Sequence, residues 1–407
     1  MTDCDVLVVG AGPAGTIAAR QLAVAGVRVR IVDRATFPRD KLCGDTLNPG
    51  SLAMLSRLDS AVAIRVRARA VATTGITVTG PGGAMVSADY PDDLSGASLM
   101  RRDFDQWLLE SAVHAGARFD PGVVVHAPVV VDDSHGPADG LRQGSGGQEA
   151  GHGGGSSRVI GVRAQCGRRE YDFRSRVVIA ADGRASRLAA ALGLSRFTKS
   201  PRRWAYGAYF TGVDGLTTRG EMHIRSDGYV GVAPLPGDVA NVCVVRARPN
   251  LIPGQSAETL LSRSIAADPA LAGRFARARR VADIAVLGPL AVESRTAGCP
   301  GLLLAGDAAG FVDPMTGDGL RFAIRGGELA ACAALAELDS GVPAFGQLHQ
   351  WRAREFGGKW RINRLLRALV GSPHALSCAA LTTRAWAGPV ERLVGIAGDV
   401  DLARRST

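Results

Sequence analysis

The sequence is poor in lysine, in aromatic residues and in closely spaced cysteines. Of 48 basic residues, only Lys41, Lys199 and Lys359 are lysines, and the others are arginines. The net charge of +10 therefore reflects an arginine-rich composition, as a GC-rich genome produces, more than a surface selected for DNA. Because no helix-turn-helix or zinc-finger pattern accompanies it, we expect no nucleic-acid partner.

The seven cysteines are widely spaced, and none of them forms a C-x-x-C pair. This pattern predicts reduced thiols without a disulfide framework or a metal site. No apolar run reaches the length of a membrane span, and the first residues lack the basic segment of a secretory signal. We therefore expect a cytoplasmic protein.

Residues 341–407 are basic and predicted to be helical. They carry ten basic and four acidic residues, which is six of the ten net positive charges. Trp351, Phe356, Trp360 and Leu365 are spaced to form one apolar stripe. Two interpretations remain open, a helix that packs on the core with a solvated basic face, and peripheral contact with the inner face of a membrane.

Glycine is abundant, and its first cluster has a specific pattern. The segment "DVLVVGAGPAGTIAARQLAVAGVRVRIVDR" reads as strand, turn, helix and strand, with G-x-G-x-x-G at the turn. These glycines allow a tight turn, close approach of a pyrophosphate and packing of the helix on the sheet, and the helix N-terminus offers its unpaired amides to phosphates. Asp33 ends the second strand, where a carboxylate accepts from ribose hydroxyls. The expected nucleotide contacts are Gly10, Gly12, Pro13, Ala14, Gly15, Asp33 and Arg34.

A second glycine cluster, residues 144–157, has no strand before it and no helix after it. It predicts a flexible excursion on the surface, between two strands of the nucleotide-binding domain.

Residues 302–305 predict another buried strand, followed by Gly306, Asp307, a glycine-rich loop and a helix that begins near Leu320. This arrangement resembles the segment that holds the ribityl and pyrophosphate part of FAD in the flavoprotein family of aromatic hydroxylases and geranylgeranyl reductases. Asp307 can accept from a ribityl hydroxyl, and the helix start can direct amides at the pyrimidine end of the flavin. The contacts implied here are Gly306, Asp307, Pro314, Gly317, Gly319 and Leu320.

Two further matches support this resemblance. The helix predicted for "LMRRDFDQWLLESAVHAGA" carries the family's arginine at Arg101, which would reach the FAD phosphates or the adenine side; the adjacent Arg102 is the alternative. The turn after the strand at residues 177–180 carries the family's Asp-Gly motif at Asp182. Val125 completes the expected cofactor contacts.

The loop "FPRDKLCGDTLNP" resembles the P-x-x-K-x-C-G pattern of the geranylgeranyl reductase branch. The resemblance puts Cys43 beside the flavin ring, where a thiol could contact the ring or donate a proton, and Lys41 would favour the thiolate. The candidate catalytic residues are Cys43, Lys41 and Asp45, with Gly44 at the cofactor. The alternatives are a buried filler for Cys43 and a turn residue for Asp45.

The sequence departs from this family in the predicted substrate sheet. Prenyl reductases often resemble Y-x-W-x-F-P there, whereas this chain has Gly231 and Ala233 in place of the two large aromatic residues. The cavity is then either wider or filled by other side chains, and a quinone, phenol or polyketide-like substrate becomes credible. Tyr206, Tyr209 and Phe210 line the pocket in one interpretation and pack in the core in the other.

The resemblance implies an α/β fold: a Rossmann-like FAD-binding domain with an inserted antiparallel β-sheet substrate domain and a helical C-terminal tail. The expected divisions are 1–75 with 96–190 and 289–340 for the FAD-binding domain, 76–95 with 191–288 for the substrate domain, and 341–407 for the tail.

The implied activity is reduction of a double bond in a hydrophobic prenyl-lipid, quinone or polyketide-like substrate by hydride transfer from flavin N5. One alternative is an FAD-dependent monooxygenase that hydroxylates an aromatic or polyketide substrate through a flavin hydroperoxide, and another is a non-catalytic flavin-binding protein. Because no second dinucleotide fingerprint occurs, NAD(P)H would bind transiently, or an electron-donor protein such as a ferredoxin would replace it.

Overall fold

The structure is a computed structural model that describes residues 2–41, 44–80, 83, 85–132, 157–198, 202–247, 256–311, 313, 315, 317–370 and 394–404. Its helices are α1 (Pro13–Val24), α2 (Pro49–Leu58), α3 (Ser60–Arg69), α4 (Arg101–His114), α5 (Arg187–Ala191), α6 (Ala257–Ala266), α7 (Gly319–Ser340), α8 (Phe345–Val370) and α9 (Val400–Arg404).

The strands are β1 (Cys4–Val9), β2 (Val29–Asp33), β3 (Thr46–Leu47), β4 (Val71–Thr73), β5 (Gly75–Thr79), β6 (Met85–Asp89), β7 (Gly96–Ser98), β8 (Arg118–Pro121), β9 (Val123–Asp132), β10 (Ser157–Cys166), β11 (Arg169–Ala180), β12 (Ser195–Phe197), β13 (Arg203–Thr211), β14 (Arg219–Arg225), β15 (Gly228–Leu235), β16 (Val239–Ala247), β17 (Arg279–Arg280), β18 (Ala285–Leu287), β19 (Val292–Ser294), β20 (Gly298–Cys299) and β21 (Leu302–Leu304).

The first sheet has the order β20-β21-β11-β1-β2-β8, and β21, β11, β1, β2 and β8 run parallel. Its central strands read as continuous apolar runs because both faces are covered. One face packs against α1, α4, α7 and α8, and the other packs against β9, β10 and α5. The carboxyl ends of these parallel strands therefore open at one edge, where nucleotides bind in such sheets.

Strands β9 and β10 are paired up to the two ends that flank their connection. Asp132 and Ser157 pair directly across the two antiparallel strands, so the predicted excursion would leave and re-enter the sheet at neighbouring points. The predicted glycine-rich excursion itself lies outside the described residues.

The second sheet has the order β17-β13-β16-β15-β14-β5-β6, with β18 also on β13. It is antiparallel except for the pair β5 and β14, which runs parallel. One face packs against α6, and the opposite face packs against Phe311 and Met315, which precede α7. The predicted fold class is confirmed, and we propose that the two sheets belong to two domains divided as the sequence predicted.

The predicted apolar stripe of α8 faces the core. Phe356 is fully buried, and Trp351 and Trp360 pack partly buried against the same cluster as α1 and α7; the Leu365 side chain lies outside the described residues. In the part of the chain that the structure describes, no helix is long and apolar enough to span a membrane.

Candidate active site

The turn between β1 and α1 shows why its glycines are needed. Gly10 has a φ of +103°, and a Cβ there would lie 2.4 Å from the Ala181 carbonyl oxygen. A Cβ on Gly15 would lie 1.9 Å from the Gly10 carbonyl oxygen. Gly12 is different, because the nearest atom to its absent Cβ is Nη2 of Arg39 at 3.6 Å. Gly10 and Gly15 serve packing, whereas Gly12 leaves the turn open to a ligand.

A cleft of about 430 Å³ opens beside this turn. The predicted cofactor contacts that line it, together with Lys41, are Gly10, Gly12, Asp33, Arg34, Val125 and Asp182. Arg39, Gly183 and Arg187 line it as well. Pro13, Ala14 and Gly15 form the buried first turn of α1. The cleft thus lies at the carboxyl edge of the parallel sheet and at a helix N-terminus, a combination suited to phosphate.

Asp33 organises this edge of the cleft. Its Oδ2 accepts from the Ala11 amide at 2.7 Å, and its Oδ1 accepts from the Ala35 amide at 2.8 Å. A carboxylate has about four acceptor sites. Asp33 can therefore hold the turn and also accept from the hydroxyls of a bound nucleotide.

Asp182 lines the cleft, and one of its carboxylate oxygens is buried and unpaired in the described part of the chain. Its Oδ2 accepts from the Arg187 amide at 3.1 Å, but its buried Oδ1 has no hydrogen-bond partner among the described residues. Burial raises the pKa of Asp182. Because a buried unsatisfied acceptor is costly, this oxygen is suited to a donor group of a ligand.

The described residues on either side of Cys43 line two different cavities, this cleft and a second cavity. Lys41 lines the cleft, whereas Gly44 and Asp45 line the cavity. Burial and the Arg101 guanidinium lower the pKa of Lys41, and the Asp307 carboxylate opposes them. Lys41 therefore lies with the predicted cofactor contacts and not at the cavity wall. Cys43 and Pro314 lie outside the described residues.

The two adjacent arginines on α4 differ in environment. Arg101 is buried and donates to both oxygens of Asp105, at 2.7 and 2.9 Å. Arg39 lies 3.1 Å from the same carboxylate. Arg102 is half exposed and lies 3.5 Å from Asp40. Of the two arginines, Arg101 therefore lies nearer the predicted site, with its Nη1 3.3 Å from the Cβ that Gly44 lacks.

The segment from Gly306 to Leu320 connects β21 with α7. Gly306 has a φ of +57°, and its absent Cβ would lie 2.8 Å from that of Ala14, so this turn packs on the first turn of α1. A 3-10 turn, Gly306–Ala309, carries the half-buried Asp307. Gly317 and Gly319 line the second cavity, and Leu320 is buried in the first turn of α7.

The second cavity has a volume of about 210 Å³ and lies between this segment and the second sheet. Its wall is mostly apolar and includes Met222, Val232, Val245, Phe311 and Met315. Gly231 and Ala233 also line it, and a Cβ on Gly231 would meet no atom closer than 3.9 Å. The two positions that lack large aromatic residues therefore leave open space in the cavity.

Asp45 and Glu221 are the acidic residues that line this cavity, and Asp45 is 3% exposed. The Tyr209 hydroxyl donates to its Oδ2 at 3.2 Å, the Asn241 side-chain amide donates to the same oxygen, and the Arg101 backbone amide donates to Oδ1 at 2.9 Å. Burial raises the pKa of Asp45 to about 6, while the Asn241 hydrogen bond and the Arg101 charge oppose that rise. This carboxyl can therefore hold or release a proton near neutral pH.

A buried triad joins the second sheet to the segment before α7. The Tyr229 hydroxyl donates to Oδ1 of Asp313 at 2.6 Å, and the Arg203 guanidinium donates to Oδ2 at 3.3 Å. All three side chains are buried. Because a buried charged pair with one partner missing is strongly disfavoured, the triad fixes the cavity wall relative to the segment that contains Asp313.

The sequence interpretation did not identify Arg39, Asn241 or Asp313 as site residues. Asn241 carries a usable signal, because it is the one amide in the otherwise apolar first half of β16, "VANVCVVRA". The alternation of β13 also separates Tyr209, which contacts Asp45, from Tyr206 and Phe210, which pack toward α6. Arg39 and Asp313 have no comparable local signal.

Comparison with known proteins agrees with this geometry. Residues 3–342 match the family described as FAD binding domain. The chain is 30% identical over 370 residues to digeranylgeranylglycerophospholipid reductase 2 of Methanopyrus kandleri, covering 87% of this chain and 83% of that protein. It is 30% identical over 414 residues to the menaquinone reductase of Mycolicibacterium smegmatis, covering 94% and 90%.

The fold is also similar to that of a flavin-dependent brominase, with a TM-score of 0.77 and 21% identity over 96% of this chain and 93% of that chain. Together these findings define an FAD-dependent oxidoreductase. More narrowly, the chain belongs to the geranylgeranyl reductase family of FAD-binding flavoproteins, which confirms the resemblance found in the sequence.

The described residues fit FAD as the cofactor. The open face at Gly12 and the N-terminus of α1 suit the pyrophosphate. The spare acceptor sites of Asp33 and the unpaired Oδ1 of Asp182 suit hydroxyl or amine donors. The cavity beside Gly44, Gly317 and Gly319 has no side chain at these positions, which leaves backbone for a flat ring to approach.

Proposed function

We propose that this enzyme reduces a carbon–carbon double bond of a hydrophobic substrate, of the prenyl-lipid, quinone or polyketide-like class. Bound FAD, once reduced, supplies the hydride from N5. The names of two relatives, a digeranylgeranylglycerophospholipid reductase and a menaquinone reductase, support this class. The mostly apolar cavity supports it too, because its wall can bury such a substrate and exclude water.

The observation that carries the proposal is the environment of Asp45. A reduction of a double bond needs one proton for each hydride. Asp45 is a buried acid at the cavity wall with a pKa raised to about 6. When it gives up its proton, Tyr209 and Asn241 already donate to the carboxylate that forms. We therefore assign Asp45 as the proton donor and Tyr209 and Asn241 as its positioning residues.

The open space at Gly231 and Ala233 indicates the shape of the substrate that fits the cavity. A slender chain leaves that space unfilled, whereas a ring fills it and gains the contacts. We therefore place a quinone or a comparable ring system ahead of an isolated prenyl chain. Lys41 lies in the cofactor cleft, so we assign it to cofactor binding; a chemical role for Cys43 stays a prediction.

The test is product analysis with purified enzyme, NADPH and either menaquinone or a geranylgeranyl phospholipid. We expect a product that retains two added hydrogen atoms by mass spectrometry after any hydroquinone has been reoxidised in air, and more of it from menaquinone. The flavin-free variant Gly12→Glu serves as the control. A product with one added oxygen atom would contradict the proposal and establish the monooxygenase.

We also propose that a nicotinamide nucleotide donates the electrons in a transient complex, because the sequence holds a single dinucleotide fingerprint and FAD occupies it. Anaerobic bleaching of the flavin by NADPH or NADH tests this. Bleaching by a reduced ferredoxin but by neither nucleotide would assign the role to a donor protein.

A hydrophobic substrate and a basic C-terminal region support a third proposal, peripheral contact with the inner face of a membrane. Co-sedimentation with phosphatidylglycerol vesicles, but not with phosphatidylcholine vesicles, is the expected result. Equal recovery in both supernatants would refute it.

A further inference from the structure

The segment Gly306 to Gly319 contacts the first turn of α1 through Gly306 and lines the second cavity with its later described residues. It carries Asp307 at its start, and its later residues Phe311, Met315, Gly317 and Gly319 line the cavity. Before α7 begins, its described residues form the 3-10 turn Gly306–Ala309 and an isolated antiparallel bridge between Phe311 and Val292, but no longer strand or α-helix. Side-chain contacts are therefore needed to hold the rest of the segment in place.

Arg352, on α8, holds the first part of this segment. Its Nη2 donates to the Ala309 carbonyl oxygen at 3.1 Å, and the side chain is 3% exposed. The guanidinium lies over the Phe356 ring at 5.3 Å. A glycine on α7 makes room for it, since a Cβ on Gly326 would lie 3.0 Å from Nη1.

The charge of Arg352 has no carboxylate within ion-pair distance among the described residues, and its Nη1 has no hydrogen-bond partner there. Burial lowers the pKa of Arg352 to about 10, and the Asp307 carboxylate opposes this. A buried charge without a counter-ion is costly. The cost of burying this charge is explained if the guanidinium attracts the Asp307 carboxylate and the anionic cofactor.

Lys359 lies about two helical turns further along the same face of α8. Its Nζ lies 2.5 Å from Oδ1 of Asp318, 2.6 Å from Oδ2 of Asp399 and 3.4 Å from the Ala397 carbonyl oxygen. Asp318 is buried and occupies the N-cap of α7. Lys359 thus fixes the end of the segment where Arg352 fixes its beginning.

The choice of lysine at this position supports a specific role. The chain uses arginine at all but three basic positions. An ammonium group is compact and carries three donors, and here three oxygen acceptors surround it. A planar guanidinium would need a wider arrangement of acceptors.

We propose that α8 is a two-point clamp on the cofactor-facing segment, with Arg352 and Lys359 as positioning residues for FAD. The match to the FAD binding domain family ends at residue 342, so both residues lie beyond it. The inference rests on the proposed placement of FAD against this segment, and it holds for any substrate.

The experiment compares Arg352→Met and Lys359→Met with Arg354→Met and Arg361→Met, which are exposed positions on the same helix. For each variant we would measure the FAD dissociation constant by titrating apoprotein, the flavin midpoint potential and the melting temperature of the apoprotein. We expect FAD affinity to fall roughly tenfold in each clamp variant, as coupling through a packed neighbour allows. The midpoint potential should become more negative, because a cation and the α7 N-terminus favour the reduced flavin anion. The controls should match wild type.

The double variant adds a test of the shared segment. Because one segment is released, its loss of affinity should be smaller than the sum of the two single losses. If the methionine variants do not fold, Lys359→Arg carries the test; it keeps the charge and should still weaken FAD binding. A lower apoprotein melting temperature with wild-type FAD affinity and potential would overturn the clamp. Failure of the wild-type apoprotein to bind FAD would overturn the cofactor placement and the clamp together.

Discussion

The proposed role of Asp45 makes a quantitative prediction for Asp45→Asn. An acid that donates a proton typically accelerates such a step by about 10²- to 10⁴-fold. The amide of asparagine keeps the size of the side chain and accepts hydrogen bonds, but it has no proton to give. We expect the rate of substrate reduction to fall by that factor while FAD stays bound.

The pH dependence of the reduction rate shows which protonation state of Asp45 is active. Wild-type Asp45 must be protonated to act, and its pKa is about 6. The rate of reduction should therefore fall about tenfold for each pH unit above that value. Asp45→Asn should show no such fall. The assay is single-turnover oxidation of the dithionite-reduced enzyme by menaquinone, followed by flavin absorbance across the pH range.

The same shift predicts a change in stability. The pKa rises from 3.8 to about 6 on folding, and two units correspond to about 3 kcal/mol. Because the folded protein holds the proton more tightly, the Asp45 contribution to the free energy of unfolding is largest below the unfolded pKa. It is lost as the pH rises through the folded pKa. Asp45→Asn should remove this loss, as urea denaturation at about pH 4 and about pH 8 would show.

Asp103→Asn, an exposed position on α4, is the matched control and should behave as wild type. A rate for Asp45→Asn within a few-fold of wild type, with an unchanged pH profile, would refute the assignment of Asp45 as proton donor.

Three other variants test the rest of the site. Gly12→Glu should lose FAD, because its side chain enters the open face of the cleft and its charge repels the pyrophosphate. Ala25→Glu, at the other end of α1, is the control. A Gly12→Glu protein fully loaded with yellow flavin would contradict the placement of the pyrophosphate at Gly12. Gly231→Trp should bind FAD normally but lose affinity for menaquinone, since the ring fills the open cavity; unchanged affinity would place the substrate elsewhere. Cys43→Ser should retain FAD and reduce substrate more slowly, and unchanged turnover would remove Cys43 from the chemistry.

The nucleotide-binding turn could be predicted from sequence because its determinants are local. Gly10 and Gly15 are needed for contacts made within one strand, turn and helix, so their spacing in the chain encodes the geometry. The strand after α1 was less well bounded. Its alternating apolar residues start at Val27, but β2 begins at Val29 because the Val27 amide donates to the Leu22 carbonyl oxygen to close α1.

The polar partners of Asp45 could not be predicted in the same way. Tyr209 and Asn241 are 164 and 196 residues away from it in the chain, and only the docking of the second sheet brings them together. The same holds for Arg352 and Lys359, whose partners lie on another segment. Lys359 is conspicuous in the sequence because lysine is rare in this chain, but this rarity does not predict which residues it contacts.

The central claim is reduction of a double bond by a flavoprotein with its own proton donor. The most direct test is an anaerobic single turnover, in which dithionite-reduced enzyme, freed of excess reductant, is mixed with menaquinone and with a geranylgeranyl phospholipid. We predict that at least one of them reoxidises the flavin without oxygen and gains two hydrogen atoms that remain after any hydroquinone has been reoxidised in air. Flavin that stays reduced with both until air is admitted, together with a product that gains an oxygen atom, would contradict the claim.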